Sequence, residues 1–290
     1  MKQTIPEFIS ALKESKRSRL WIAQTGIHSS EGGNGLSVSD SNFQYIIDAL
    51  EHSSDVRGSG YSAHEAIFLE LGSRTNHLMA AFIHNTNRGQ SAGGLRLWSY
   101  DDLGGLFFDG LRLSQGMSRK NALAGLWWGG GKGVIARHRE GANVNYRDPA
   151  YRKALYADYG DFVSGICGSY VTAEDVGTVP DDIESVSTRT RHITCIPPRM
   201  GGSGNPSELT AKGVVTAMEA ALSYQSHGSG VADLSGKVIA MQGMGNVATF
   251  MIKILLDKGV KQIFAADIDK ETVDRGIAID PSRITGRVVD

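Results

Sequence analysis

The sequence predicts an α/β protein, in which an N-terminal α/β domain precedes a smaller and partial second α/β domain. Hydrophobic residues make up 41% of the 290 residues and charged residues 21%, which is typical of a folded globular chain. Apolar residues recur with both the two-residue period of strands and the 3.6-residue period of helices. The 36 glycines concentrate at junctions between these segments, as strand-to-helix turns require.

The first part of the chain alternates helix, loop and hairpin signals. Residues 5–13 have helical spacing, and two stretches rich in Ser, Gly and Asp, 29–42 and 53–60, predict mobile loops. Residues 65–71 and 77–84 are β-like runs separated by a Gly-Ser-Arg-Thr-Asn turn. They predict a β-hairpin.

The middle of the chain continues with longer helices. Apolar positions in 101–126 fall on one side of a helix, and the glycines at 129–131 end it or follow soon after. Residues 133–136 predict a strand, 149–166 an amphipathic helix, and 169–173 a short strand that ends at an acidic pair. This first domain is therefore α/β in character.

The domain boundary is predicted near 195–205, and we divide the chain into 1–198 and 199–290. A helix is expected over 210–223, a loop over 225–235, a strand over 237–242, a helix that ends at Lys258 and a strand over 262–266. Strand, glycine turn, helix and strand in this order predict a β-α-β unit of a parallel sheet.

A dinucleotide-binding fingerprint lies in that unit. Gly243 and Gly245 follow the first strand, and Asn246 and Val247 open a helix with Ala248 at the third small position. The glycines permit a tight turn and a close backbone approach to a pyrophosphate, which the helix N-terminus attracts. The alternative is an ordinary strand-to-helix turn. The context favours a partial Rossmann NAD-binding domain.

Asp267 lies 22 residues beyond Gly245, at the end of the next predicted strand. There its carboxylate can accept hydrogen bonds from ribose hydroxyls, and its charge would repel a 2′-phosphate. The alternative is a solvated aspartate. The sequence therefore predicts NAD in preference to NADP.

Charge and cysteine content exclude other classes of function. Lys and Arg total 30 against 31 for Asp and Glu, so no basic excess predicts a nucleic-acid or anionic-membrane partner. No run is long and apolar enough to cross a bilayer, and Cys167 and Cys195 form neither a disulfide framework nor a metal-ligand cluster. We expect a cytoplasmic protein with a small-molecule partner and no metal.

Three charged residues in the first domain carry candidate chemistry. Lys120 and Lys132 are twelve residues apart, and Lys132 stands among glycines that would let a ligand approach. Partial burial and a second nearby cation would lower a lysine pKa toward the range of a general base. Both could equally be solvated lysines, and Asp175 could equally cap a helix or turn.

Together these motifs resemble the glutamate/leucine/phenylalanine/valine dehydrogenase family. The matching stretches are GGLR at 93–96, KNA at 120–122, GGGKG at 129–133, TAEDVGT at 172–178, SGNPSELTAKGV at 203–214 and QGMGNVA at 242–248. Their order and spacing match across about residues 61–275. The 172–178 and 203–207 stretches are more similar to the leucine, valine and phenylalanine branch than to glutamate dehydrogenases.

The resemblance implies a role for each residue. Lys120 would bind the substrate α-carboxylate, Lys132 would activate water, Asp175 would exchange protons with the substrate nitrogen, and Thr210 would lie near the nicotinamide. The implied reaction is the reversible NAD-dependent oxidative deamination of a nonpolar L-amino acid to the 2-oxo acid and ammonia. The first domain would bind substrate and form a homo-oligomer.

Substrate choice is predicted from the position before Gly93 and Gly94. Family members that take glutamate have a lysine there, whereas this chain has Ala92, so glutamate is expected to be a poor substrate. Trp127 and Trp128 depart from the residues typical of the family. They narrow the pocket, or at least one of them packs in the core.

Two departures leave an alternative open. Most of residues 1–60 differ from the family pattern, and family members continue well past the second strand of the cofactor domain, whereas this sequence stops at Asp290. Two strands would leave an unpaired sheet edge and an uncovered apolar face. The alternative hypothesis is a catalytically weak or inactive relative with an assembly or regulatory role.

Overall fold

The computed structural model describes residues 1–25, 35–51, 60–138, 144–225 and 233–289. Two compact units divide the chain, Met1–Gly204 and Asn205–Asp290. Residues 29–34 and 53–59 of the predicted loops lie outside the described residues. Along the described parts of the chain, no helix combines the length and apolarity needed to cross a membrane.

Unit 1 is built from a mixed sheet and five α-helices within its described residues. The strands are β1 (Arg19–Thr25), β2 (Gly35–Val38), β3 (Ala66–Leu71), β4 (Leu78–Asn85), β5 (Ser91–Trp98), β6 (Gly129–Ala136) and β7 (Tyr170–Glu174). The helices are α1 (Ile5–Glu14), α2 (Gln44–Glu51), α3 (Leu103–Leu123), α4 (Pro149–Gly165) and α5 (Pro180–Ser187).

The sheet of unit 1 has the strand order β2-β1-β3-β4-β6-β5-β7. Strands β5, β6 and β7 run parallel, and β3 and β4 form the predicted antiparallel hairpin. One apolar core includes residues of α3, such as Leu106 and Phe107, and the other includes residues of α4, such as Tyr159 and Phe162. Both faces of the central strands are therefore buried.

The structure corrects the prediction at the glycine run. Strand β6 begins at Gly129, not at residue 133, and all of its residues are buried. A Cβ atom at Gly130 would meet the Ser118 hydroxyl at 2.2 Å, and one at Gly133 would meet the Tyr159 hydroxyl at 1.9 Å. The glycines are part of the strand because both faces of β6 pack too closely for side chains at these positions.

Several elements of unit 1 were not predicted. Residues 35–38 were expected in a loop, but they form β2 and pair with β1. The sequence pattern also does not predict β1, α2, β5 or α5. Strand β5 lacks clear alternation because it lies between two parallel neighbours and is mostly buried on both faces.

Unit 2 contains the predicted β-α-β unit and one additional strand. Its described elements are α6 (Ser207–Gln225), β8 (Val238–Gln242), α7 (Asn246–Asp257), β9 (Gln262–Asp267), α8 (Lys270–Ile277) and β10 (Ile284–Val288). The sheet is parallel with the order β10-β9-β8. Helix α6 extends to Gln225, and residues 226–232 of the predicted loop lie outside the described residues.

The sheet of unit 2 is covered unequally on its two faces. Ile239, Ile263 and Ile284 are buried in one core cluster, whereas Val238 and Phe264 point to the other side and are 56% and 50% exposed. The prediction of an uncovered apolar face is confirmed for the described residues. The prediction of only two strands is wrong, because β10 pairs with β9.

Candidate active site

A buried lysine in the middle of one strand meets an aspartate just past the carboxyl end of another in unit 1. Lys132 lies on β6, and Asp175 directly follows β7. The Lys132 Nζ donates a hydrogen bond to Asp175 Oδ2. Lys132 is only 5% exposed, whereas the Asp175 side chain keeps 28% of its surface exposed. The pair therefore has one buried cation and one carboxylate that solvent or a ligand can reach.

The electrostatics of the pair affect its two members differently. Burial lowers the pKa of Lys132, although the carboxylate of Asp175 opposes this effect. Burial would raise the pKa of Asp175, but Lys132 and Arg96 outweigh it, so that pKa is lowered. The arrangement favours an ionised Asp175 beside a lysine that loses its proton more readily than a solvated one.

The space for this pair depends on the glycines of β5. A Cβ atom at Gly94 would lie 2.6 Å from Asp175 Cβ, and one at Gly93 would lie 1.9 Å from the Gly131 carbonyl oxygen. Ala92, two residues before Gly94 on the same strand, is 2% exposed. Gly94 therefore lies directly against Asp175, whereas Gly93 allows close packing of β5 on β6.

Thr178 closes the turn that follows β7. The Thr178 hydroxyl accepts from the Asp175 N–H at 2.9 Å and donates to the Asp175 carbonyl at 2.6 Å. Because Thr178 satisfies the backbone of the turn, the Asp175 carboxylate points to Lys132. The carboxylate also accepts a hydrogen bond from the Val176 N–H, so it contacts the turn as well as Lys132.

Arg96 and Asp109 belong to the same site, although the sequence analysis assigned them no role. Arg96 Nη1 donates to Asp109 Oδ2 at 2.8 Å, and Arg96 Nε lies 3.5 Å from Asp175 Oδ2. Two signals were available in the sequence. Arg96 is two residues after Gly94 and so shares its face of a strand, and Asp109 interrupts an apolar helical segment.

Lys120 is not bonded to this pair in the described residues. It lies in the last turn of α3 with an exposed side chain. Within the described residues, no hydrogen bond or ion pair joins it to Lys132 or Asp175. Arg96 is a second cation beside Lys132 and, together with burial, contributes to the lowered pKa of Lys132.

The two tryptophans before the glycine run do not belong to the buried core. Trp127 is 81% exposed, and the Arg88 guanidinium lies 5.5 Å from its ring centroid. Trp128 is half-buried. The core-packing interpretation is therefore wrong for Trp127 and unsupported for Trp128.

The glycine turn of unit 2 has the geometry of an anion-binding helix start. Gly243 has φ +88°, a left-handed conformation that favours glycine, and its N–H donates to the Ala266 carbonyl at 2.7 Å. Gly245 is the N-cap of α7 and makes no side-chain cap hydrogen bond. The first N–H groups of α7, from Asn246 and Val247, are therefore available to a phosphate.

Asp267 lies where the fingerprint requires an acidic residue, at the end of β9. Its Oδ2 accepts from the Met244 N–H at 2.7 Å, and its Oδ1 accepts from the Asp269 N–H at 3.0 Å. These backbone hydrogen bonds lower the pKa of Asp267. The carboxylate is therefore ionised, and each oxygen retains acceptor capacity for a ligand hydroxyl.

Thr210 lies in the first turn of α6 with an exposed side chain. Its hydroxyl donates to the Pro206 carbonyl at 2.9 Å. The two cysteines are free, and no group of three or more His, Cys, Asp or Glu residues in the described ranges is arranged to hold a metal ion.

The fold and these residues define a class of α/β protein that combines a mixed sheet with a Rossmann-like β-α-β unit. The family model for the Glu/Leu/Phe/Val dehydrogenase dimerisation domain matches residues 72–192. The model for Glutamate/Leucine/Phenylalanine/Valine dehydrogenase matches residues 201–278. The chain belongs to the Glu/Leu/Phe/Val dehydrogenase family, as the sequence motifs predicted.

Individual relatives agree with this assignment. The chain is 42% identical to leucine dehydrogenase from Bacillus cereus over 212 residues, 70% of this chain and 54% of that protein. It is 37% identical to phenylalanine dehydrogenase from Lysinibacillus sphaericus over 194 residues, 66% of this chain and 47% of that protein. The chain thus spans about half the length of these relatives.

A solved structure shows a similar fold. The L-tryptophan dehydrogenase from Nostoc punctiforme matches with a TM-score of 0.52 and 27% sequence identity. The match covers 77% of this chain and 59% of the tryptophan enzyme.

Proposed function

We propose that this chain acts in an NAD-dependent amino-acid dehydrogenase, which catalyses the reversible oxidative deamination of a nonpolar L-amino acid. The products would be the 2-oxo acid and ammonia. The observation that carries the proposal is the buried Lys132–Asp175 pair, in a chain that belongs to a dehydrogenase family. The leucine and phenylalanine dehydrogenases among its relatives support a nonpolar substrate.

The lysine–aspartate pair supplies the proton chemistry that this reaction needs. After hydride leaves the substrate Cα, the resulting iminium must be attacked by water. Lys132, whose pKa is lowered by burial, would take a proton from that water at Nζ. Asp175, which is ionised, would take a proton from the substrate ammonium at Oδ2 before hydride transfer and return it to the nitrogen after water has added, so that ammonia can depart. Its exposed surface leaves it accessible to the substrate.

Substrate binding is assigned to residues near the pair. Lys120 would bind the α-carboxylate with its exposed ammonium, and the strand around Gly93 and Gly94 would line the pocket. Ala92 is too small and apolar to pair with a side-chain carboxylate, which disfavours glutamate. Residues 1–198, which lie within unit 1, would also form the contacts between subunits of the oligomer. We propose a homo-oligomer because the matching family domain is described as a dimerisation domain.

Unit 2 fits a nicotinamide dinucleotide. The uncapped start of α7 and the left-handed Gly243 suit a pyrophosphate, and Asp267 suits the ribose hydroxyls. The anionic Asp267 would repel a 2′-phosphate, which supports NAD over NADP. When bound, this group would accept the hydride. Thr210 is proposed to lie near the nicotinamide on the basis of the family resemblance.

A cytoplasmic location stays a prediction that the two free cysteines support. None of the comparisons favours the alternative of an inactive relative with an assembly role.

The first experiment is NAD reduction by the purified full chain with L-leucine, L-valine, L-phenylalanine, L-tryptophan and L-glutamate. Lys132→Ala removes the proposed base, and Lys153→Ala removes an exposed lysine of α4 as the matched control. We expect turnover with at least one nonpolar amino acid, little with glutamate, and a loss of at least about 100-fold for Lys132→Ala only.

Two outcomes would contradict the proposal. A folded chain that reduces NAD with none of the amino acids would favour the assembly-only alternative. Equal activity of Lys132→Ala and the wild type would remove Lys132 from the reaction. A strong preference for glutamate would overturn only the argument from Ala92 about substrate choice.

A further inference from the structure

One arginine beside the Lys132–Asp175 pair takes no part in the proton transfers of the proposed reaction. Arg96 lies on β5 and directs its guanidinium between two carboxylates, Asp109 and Asp175. Its side chain is 20% exposed. Because a guanidinium is not deprotonated in proteins, this position carries a permanent positive charge.

The guanidinium is fixed from the side of α3. Arg96 Nη1 donates to Asp109 Oδ2 at 2.8 Å, and the Tyr100 hydroxyl donates to the same oxygen at 2.9 Å. Arg112 Nη2 donates to the other oxygen, Asp109 Oδ1, at 2.7 Å. Asp109 is thus an anchor, and Tyr100 holds the same oxygen that binds Arg96.

The other edge of the guanidinium faces the reacting pair. Arg96 Nε is buried and makes no hydrogen bond with the described residues. It lies 3.5 Å from Asp175 Oδ2, the oxygen that also receives the hydrogen bond from Lys132. A buried N–H without a partner costs free energy, so a small shift of Asp175 toward Arg96 would be favourable.

The two cations beside Asp175 differ in one decisive respect. Lys132 must lose its charge to act as a base, and at that moment it ceases to attract Asp175. Arg96 keeps its charge throughout. We propose that Arg96 is the positioning residue that keeps the Asp175 carboxylate in place and ionised while Lys132 is neutral. This inference rests on the proposed function.

Arg96 also acts on Lys132 itself. Like charges disfavour one another, so Arg96 helps to lower the pKa of Lys132, while Asp175 and Asp109 oppose this effect. The same positive charge helps to lower the pKa of Asp175. Removing Arg96 should therefore raise both values. The fraction of neutral Lys132 would fall at neutral pH.

The test compares Arg96→Gln, Arg96→Lys and the control Arg112→Gln in the full chain. Arg112 also binds Asp109, but its side chain is half exposed and has no ion pair with Asp175 among the described residues. For Arg96→Gln we expect kcat/KM at pH 7 to fall by about tenfold or more and to recover as the pH rises. Arg96→Lys keeps the charge and should move the profile less. Arg112→Gln should not move it.

A second readout does not require turnover. Acetic anhydride reacts with an amine but not with an ammonium, so the pH dependence of Lys132 acetylation, followed by peptide mass spectrometry, reports its protonation. The midpoint should move to higher pH in Arg96→Gln and stay unchanged in Arg112→Gln. Thermal melts check folding, and Arg96→Met replaces the glutamine variant if that variant does not fold.

The outcomes separate the two proposals. An unchanged Lys132 midpoint in the uncharged variants, or a loss of activity without a pH shift, would overturn the role of Arg96. A shifted midpoint in a chain that deaminates no amino acid would leave the electrostatic coupling established and would refute the proposed function instead.

Discussion

Gly94→Ala tests whether the placement of Asp175 decides catalysis. The added Cβ atom would lie 2.6 Å from Asp175 Cβ, 3.3 Å from Asp175 Cγ and 2.9 Å from the Glu174 carbonyl oxygen. Carbon atoms in ordinary contact lie about 3.5–4.0 Å apart, so Asp175 must move by about 1 Å. Gly94 itself has no left-handed φ, so alanine introduces no backbone strain there.

A displacement of about 1 Å at a reacting group can cost about 100-fold in rate. This corresponds to about 2.7 kcal/mol of transition-state stabilisation. Overpacking of this kind also destabilises a folded chain by about 1–3 kcal/mol. We therefore expect kcat/KM of Gly94→Ala for the best amino acid to fall by about 100-fold, while the chain remains folded at 25 °C.

The matched control is Gly116→Ala. Gly116 lies within α3, and a Cβ atom there meets no atom within 4 Å. Alanine in a helix interior stabilises by about 0.5–1 kcal/mol relative to glycine. We expect this control to retain activity and to melt at a slightly higher temperature. Wild-type kcat/KM in a folded Gly94→Ala variant would refute the reasoning that Gly94 makes room for Asp175.

Three further predictions concern stability and cofactor choice. Asp158→Ala should lower the free energy of unfolding by about 3 kcal/mol or more in urea titrations, because this buried carboxylate accepts hydrogen bonds from Arg74 and Thr75; an unchanged midpoint would contradict this. Burial lowers the pKa of His64 to about 4, so the folded chain should lose stability as the pH falls from about 6.5 toward 4, by about 2 kcal/mol at pH 5 from this group. His64→Gln should lose correspondingly less stability between pH 7 and 5. Equal pH dependence of the free energy of unfolding in His64→Gln and the wild type would contradict this prediction. Asp267→Asn keeps a side-chain oxygen that can accept from the Met244 N–H but removes the negative charge. The ratio of kcat/KM with NADP to kcat/KM with NAD should therefore rise by about tenfold. A constant ratio would show that Asp267 does not select the cofactor.

The sequence was most informative where local pattern and motif agree. The helix over 149–166, the hairpin over 65–84 and the parallel β-α-β unit are confirmed within a few residues. Gly243 could be recognised because a strand-to-helix turn requires a left-handed residue there. These features depend on contacts between residues close in the chain, so their signals are present in the local sequence.

The bounds of some strands in both sheets depend on packing between residues that are far apart in the chain. Three consecutive glycines at 129–131 predict a turn. They nevertheless form the start of β6, because β5 and α3 pack closely against them. Strand β10 begins at Ile284, the last residue of an atypical Pro-Ser-Arg-Ile stretch, and its pairing with β9 identifies it.

The sequence alone determined the family, the β-α-β unit and the residue types available for chemistry. Tertiary structure decided which charges face one another. It brought Lys132 to Asp175, left Lys120 exposed, and placed Arg96 as the second cation. The physical reason is that electrostatic interactions depend on distance and burial, and these are set by strands and helices that are far apart in the chain.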